Sequence, residues 1–166
     1  MKDSSDTLFA EYLEGYKNLI AKVARIYCKD PEERRDLIQD IIVQLWKSFQ
    51  NYDSTYAIST WTYRIALNVS ISFLRKATTR KNTRDVYHQQ VEWLHFQDTV
   101  IDENLEQLYQ FIDLLKPIDK AIIILYLEGC SNKEIAEVMG MSATNVSTKK
   151  QRIVEELKSY FKNINP

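Results

Sequence analysis

Residues 131–157 read SNKEIAEVMGMSATNVSTKKQRIVEEL, and this stretch decides the fold. Ser131-Asn132-Lys133-Glu134 has capping-box spacing, in which a serine hydroxyl and a glutamate three residues on satisfy each other's free amides. A short helix is therefore predicted through about Met139. Gly140-Met141-Ser142 makes a tight turn, with Ser142 placed to cap the helix that follows. Two helices, the first short, joined by a glycine-bearing turn form a helix-turn-helix. Ile135, Ala136 and Val138 of the first helix are set to pack against Val146, Ile153 and Leu157 of the second. The outer face of the second helix then offers Thr144, Asn145, Ser147, Thr148, Lys149 and Arg152. Short hydrogen-bonding groups and cations suit base edges and phosphates in a major groove. An αα-hairpin in a helical protein without DNA would use the same caps, so this motif alone leaves both readings open.

Upstream, a helix ends near Leu115, Pro117 restarts the chain, and the strongly apolar residues 118–127 run until Gly129 stops them. Toward the N-terminus, a first helix is predicted from about Asp6 to Tyr27, with Leu8, Tyr12, Leu19, Val23 and Ile26 on one stripe. Asp30-Pro31-Glu32-Glu33 reads as an N-cap, a first-turn proline and two acids at the positive end of a helix dipole. That second helix is expected to bury Leu37, Ile38, Ile41, Ile42, Leu45, Trp46 and Phe49. Residues 50–59, QNYDSTYAIS, form a polar, tyrosine-bearing loop. A third helix follows from about Thr60 to Ala77, its expected apolar face built from Trp61, Ile65, Val69 and Phe73/Leu74. Trp61 and Tyr63 sit beside Arg64, and Arg75-Lys76 close the helix. Aromatics interleaved with cations can stack on unpaired bases while holding the backbone, and the preceding loop could pocket an extruded base. Trp61 as plain core is the competing reading.

From residue 78 to about 102 the periodicity fades into a linker with one briefly amphipathic segment. It carries both histidines of the chain, His88 and His95, with Glu92 between them. On a continuous helix these would share a face and could hold a metal. Trp93, Leu94 and Phe96 point instead to docking, and no metal site is assigned. No nucleophile–base pairing or phosphate-cradling glycine loop accompanies them, so no catalytic residue and no cofactor is expected.

The 166 residues are 45% hydrophobic and 27% charged, as in ordinary globular proteins, with too few glycines and prolines (three of each) to turn a many-stranded sandwich. An all-α fold of two small domains is predicted. Cys28 and Cys130 are isolated, which argues against a disulfide framework or zinc ribbon. The acidic start MKDSSDTLF is unlike a secretory signal, and no apolar run is long enough to insert in a membrane, so a cytoplasmic protein is expected. Twenty-two basic residues against 23 acidic give net −1, yet the charge is uneven. Residues 61–90 hold six basic side chains and one acidic, residues 91–128 two and eight, and residues 129–166 six and four. Two positive blocks flank an acidic connector, as two phosphate-facing surfaces would require.

Three stretches together resemble the extracytoplasmic-function sigma factors, the small promoter-specificity subunits of bacterial RNA polymerase. PEERRDLIQDIIVQLW (31–46) is similar to their core-binding helix, and STWTYRIALNVSISFLRK (59–76) to the helix that reads and melts the −10 element. LLKPIDKAIIILYLEGCSNKEIAEVMGMSATNVSTKKQRIVEEL (114–157) resembles the helix-turn-helix that reads the −35 element. The resemblance implies residues 1–77 for core polymerase and the −10 element, a 78–102 linker, and residues 103–166 for the −35 element. It places Asp36, Gln39, Asp40 and Gln44 on the polymerase clamp. Asn51, Tyr52, Asp53, Tyr56, Trp61, Tyr63, Arg64, Asn68, Arg75 and Lys76 fall at the melted −10 strand. Ser142, Thr144, Asn145, Ser147, Thr148, Lys149 and Arg152 fall at the −35 duplex. The expected partners are core RNA polymerase and promoter DNA, with an anti-sigma factor as a frequent regulator in the family.

Two departures from the family pattern stand out. Ser72 replaces a common acid, and Lys150 occupies a usually apolar position in the recognition helix, where its stem could snorkel along the core edge or the helix could be rotated. With net charge −1, the free chain is expected to bind promoter DNA poorly, polymerase supplying most contacts.

Overall fold

The computed structural model describes residues 2–81 and 103–165, which form seven helices and no strand. They fall into two compact units, α1–α3 and α4–α7. In the first, α1 (Lys2–Tyr27), α2 (Pro31–Phe49) and α3 (Ile58–Lys81) each pack on the other two. In the second, α5 (Pro117–Leu127) and α6 (Asn132–Met139) pack on α7 (Ala143–Ile164), and α4 (Glu103–Leu114) lies against α5 and α7.

Local chemistry starts α2 where the sequence places it. Asp30 Oδ1 accepts from the amides of Glu32 (3.0 Å) and Glu33 (2.9 Å), with Pro31 in the first turn. Arg34 donates from Nε to Cys28 O (3.0 Å) and from Nη2 to Lys29 O (2.7 Å), tying the α1–α2 turn to the new helix. Leu37, Ile41 and Leu45 are fully buried, while Trp46 is not the core residue expected: it is 40% exposed and meets the Phe9 ring edge-on. α1 begins at Lys2 rather than Asp6, and its buried stripe runs through Phe9, Tyr12, Ile20, Val23, Ala24 and Tyr27. Leu8, expected inside, is 56% exposed.

The larger correction concerns α3. The helix opens at Ile58 and runs past Ala77 into the segment read as linker. Its buried face is Thr62, Ala66 and Ser70 with Tyr63, Leu67 and Ile71, not Trp61, Ile65, Val69 and Phe73. Both sets repeat every four residues, so each forms a stripe on the helix. α3 packs against α1 and α2 at once, and the stripe of small side chains permits that close approach. The bulkier stripe is left half-buried.

The second unit follows its local signals closely. Pro117 opens α5, and Ala121, Ile122, Ile123, Ile124 and Leu125 are all buried. Gly129 stops it with φ +85°. Lys120 is buried in this apolar helix and donates from Nζ to Asp113 O (3.3 Å), satisfying a carbonyl near the end of α4. His88, Glu92 and His95, and the linker from residue 82 onward, lie outside the described residues. Among the described residues no helix is long and apolar enough to cross a membrane.

Candidate nucleic-acid interface

The helix-turn-helix is assembled by hydrogen bonds that reach no further than a few residues. Ser131 Oγ accepts from Glu134 N (3.2 Å), and Glu134 Oε2 accepts from Ser131 N (2.6 Å), completing the capping box. Those bonds favour the carboxylate and hold the Glu134 pKa below its usual value. Gly140 takes the left-handed conformation (φ 65°, ψ 38°) that ends α6. Ser142 Oγ then accepts from Asn145 N (3.1 Å) and starts α7. Ile135, Ala136 and Val138 are buried, as are Val146 and Ile153 of α7.

Fixed in this way, α7 presents Thr144, Asn145, Ser147 and Thr148 to solvent, with Lys149 half-buried at the edge of the same face. Ser142 is also exposed, although its hydroxyl oxygen is engaged as a cap. Thr148 Oγ1 donates to Thr144 O (3.1 Å), leaving that oxygen's lone pairs outward. Lys150 snorkels: its Nζ sits 5.0 Å from the Tyr126 ring centroid, a cation–π contact at the rim of the core. Arg152 is less free than its sequence position suggests. Its Nη2 donates to Asp119 Oδ2 (2.8 Å), a carboxylate only 6% exposed, and Nη1 lies 3.5 Å from Glu156 Oε1. Hydrogen bonding to Asp119 first, and its charge second, push the guanidinium pKa up.

In the first unit, Asp36, Gln39, Asp40 and Gln44 are all exposed, one polar face along α2. The loop from residue 50 to 57 is preordered. Asp53 Oδ1 accepts from the Thr55 hydroxyl and from Thr55 N (2.9 Å), and these bonds lower the Asp53 pKa, the hydroxyl's contribution being the larger. Tyr56 N donates to Asp53 O (3.3 Å), and the Tyr52 hydroxyl donates to Tyr56 O. Asn51, Asp53 and Tyr56 are exposed, and Tyr52 is half-buried with its ring 5.2 Å from Trp61.

Trp61 itself belongs to an aromatic cluster with Tyr12 (5.9 Å), Phe49 (6.4 Å) and Tyr52, half-buried rather than fully core or fully free. Tyr63 is 8% exposed and stands in the core of this unit. Arg64, Asn68, Arg75 and Lys76 are exposed. Asp40 and Gln44 of α2 face Asn68, Ser72 and Lys76 of α3 across a groove of about 350 Å³, floored by Ile65, Val69 and Phe73. The residues placed on polymerase and those placed on DNA thus share one groove, and Ser72 is in its wall.

Sequence reasoning missed Thr62 and Asp119. The Thr62 hydroxyl is buried and donates to Ile58 O (2.7 Å), so the Tyr12 hydroxyl, 2.7 Å away, donates to it. Burial pushes the Tyr12 pKa up to about 12. Nothing in the local sequence marks these side chains as buried and paired.

A capped helix-turn-helix thus stands in one unit, and three helices with a hydrogen-bonded, tyrosine-bearing loop in the other. Residues 13–80 match the family model of Sigma-70 region 2, and residues 105–157 match that of Sigma-70, region 4. The chain belongs to the extracytoplasmic-function group of the sigma-70 family, and it is an RNA polymerase sigma factor. It is 27% identical to the RNA polymerase sigma factor SigV of Bacillus subtilis, covering 93% of this chain and 91% of that protein. It is likewise 27% identical to the ECF RNA polymerase sigma factor SigX of the same organism, over 80% of this chain and 73% of SigX. In fold it is similar to the sigma factor RpoE of Bartonella quintana, solved with the anti-sigma factor NepR. The TM-score there is 0.72 at 16% identity, over 93% of this chain and 96% of that one. CnrH, solved with the cytosolic domain of CnrY, gives a TM-score of 0.66 at 19% identity, over 95% and 90%.

Proposed function

We propose that the two units divide promoter recognition between them, acting in the cytoplasm and without chemistry of their own. The α2 face of Asp36, Gln39, Asp40 and Gln44 binds core RNA polymerase. The ordered loop with Asn51, Tyr52, Asp53 and Tyr56, together with Trp61, Arg64, Asn68, Arg75 and Lys76, holds the melted −10 strand. Ser142, Thr144, Asn145, Ser147, Thr148, Lys149 and Arg152 of the helix-turn-helix face the −35 duplex. Polymerase makes the phosphodiester bonds, and this chain chooses where. An anti-sigma factor is the expected regulator, because both structural neighbours were solved with a partner chain and one of those partners is an anti-sigma factor.

The observation that carries this reading is the coexistence, in the family's order, of an exposed polar α2 face and a helix-turn-helix with an exposed polar recognition face. Gel filtration of the chain with bacterial core polymerase tests it, alongside an Asp36→Ala/Asp40→Ala double variant. Stoichiometric co-elution, weakened in the variant, is expected. Co-elution that ignores the substitutions would move the interface off α2. A folded chain that elutes as a dimer and ignores polymerase would instead be a regulator of palindromic sites.

A further inference from the structure

Asp119 and Arg152 lie 33 residues apart in sequence and meet between α5 and α7. We propose that Asp119 is a positioning residue for duplex recognition: by holding one amino group of Arg152, it presents the rest of the guanidinium to a base edge rather than to a phosphate. The proposal rests on the reading of α7 as the −35 helix.

Four observations carry it. The Asp119 side chain is 6% exposed, so losing Arg152 would leave a buried charge without this partner, a cost that opposes opening the pair. The guanidinium has five N–H donors in a rigid fork, and one bond to Asp119 leaves most of them available. Glu156 holds Nη1 only at 3.5 Å, with both side chains about half exposed (48% and 49%), an i, i+4 contact that readily gives way. Finally, Asn145, Lys149 and Arg152 follow i, i+4, i+7 spacing, so Arg152 lies on the stripe that carries the outward polar groups. A cation already paired with a buried carboxylate has less charge to offer a phosphate. What it can give DNA is direction, and an arginine already held in place loses less rotamer freedom on docking. A fork so oriented suits the paired acceptors of guanine in the major groove.

The test uses the full chain bound to core polymerase and a duplex library randomised across the −35 segment, selected at several salt concentrations. Wild type, Arg152→Ala, Asp119→Ala, Asp119→Asn and the double alanine variant are compared, each with a far-UV melt. Arg152→Ala and Asp119→Ala are expected to blur the same base-pair positions, each lowering discrimination there about tenfold. The double variant should be no worse than either single one. Asp119→Asn keeps an acceptor and should recover part of the loss, and it decides the matter if Asp119→Ala does not fold. The salt slope should move by less than about one ion. Unchanged preferences in both Asp119 variants overturn the proposal. So does tighter binding to every sequence with a steeper slope, which would mean that Asp119 merely withheld Arg152 from phosphate. Blurring by Asp119→Ala with Arg152→Ala silent also overturns it, as an effect on the fold alone. If wild type enriches no −35 sequence, the reading of α7 has failed and takes this proposal with it.

Discussion

The two helical units lean to different degrees on local and distant contacts. In α5–α7 the helix ends are marked mostly by a proline, a capping serine or a glycine within a few residues, as at Pro117, Ser131, Gly140 and Ser142. In α1–α3 the decisive contacts are distant: Tyr12 meets Thr62 fifty residues on, and Trp61 leans on rings from α1, α2 and the loop. A unit of the first kind can be read along the chain, and one of the second kind has to be folded before its faces are known.

The comparison is broken most directly through the cores. Ile41 and Ile135 are both fully buried, and truncation of either to alanine is expected to cost about 2–5 kcal/mol. α6 has Ile135 as its one large buried side chain, beside the smaller Ala136 and Val138, whereas α2 keeps Leu37 and Leu45 when Ile41 is cut back. Ile135→Ala should therefore fall near the upper end and Ile41→Ala nearer the lower. Urea midpoints check this, and the reverse order would mean that the three-helix unit is the more tightly built. Next in size is Thr62→Val, which leaves the buried Tyr12 hydroxyl without its partner at a cost of about 1–3 kcal/mol. Tyr12→Phe in the same background should return part of that loss.

Smaller effects belong to the caps. Ser131→Ala should cost about 1 kcal/mol. Gly140→Ala should cost a similar amount, about 1–2 kcal/mol, from the positive φ alone, since an added Cβ would meet nothing within 4 Å. The smallest effect lies at the acid end of the pH range. The Glu134 pKa is depressed on folding, so its contribution is present above the unfolded carboxylate value and is lost as pH falls through the folded one. Tyr12 runs the other way. Its pKa is raised from 10.0 to about 12, so stability is full below pH 10.0 and is lost as pH rises toward about 12. Thermal melts across both ranges, with Glu134→Gln and Tyr12→Phe flattening the acid and alkaline ends respectively, would sharpen the contrast between local and distant bonding.

The candidate site was legible in the same uneven way. The recognition helix, its cap and its outward groups follow from the sequence, because a capping serine and a left-handed glycine satisfy or free backbone groups that are their near neighbours. On α2 the buried residues Leu37, Ile41 and Leu45 were legible from their four-residue spacing, while Asp36, Gln39, Asp40 and Gln44 were named from the family resemblance. The inward face of α3 was misread because the helix carries two parallel stripes, and the larger side chains of the outer one looked like core. That same misreading hid the groove, whose floor is Ile65, Val69 and Phe73.

By itself, then, the sequence determined the all-α class, the helix-turn-helix, the starts of α2, α5, α6 and α7, and the family. These rest on caps, prolines, glycines and motif order, all of which act over a few residues or are read as letters. Only the tertiary structure decided which stripe of α3 turns inward, that Tyr12 bonds to Thr62, and that Arg152 is held by a buried carboxylate on another helix. The physical reason is that a helix with apolar residues on two faces has no inside until its neighbours arrive. A buried polar pair likewise has no partner until the fold brings the two side chains together.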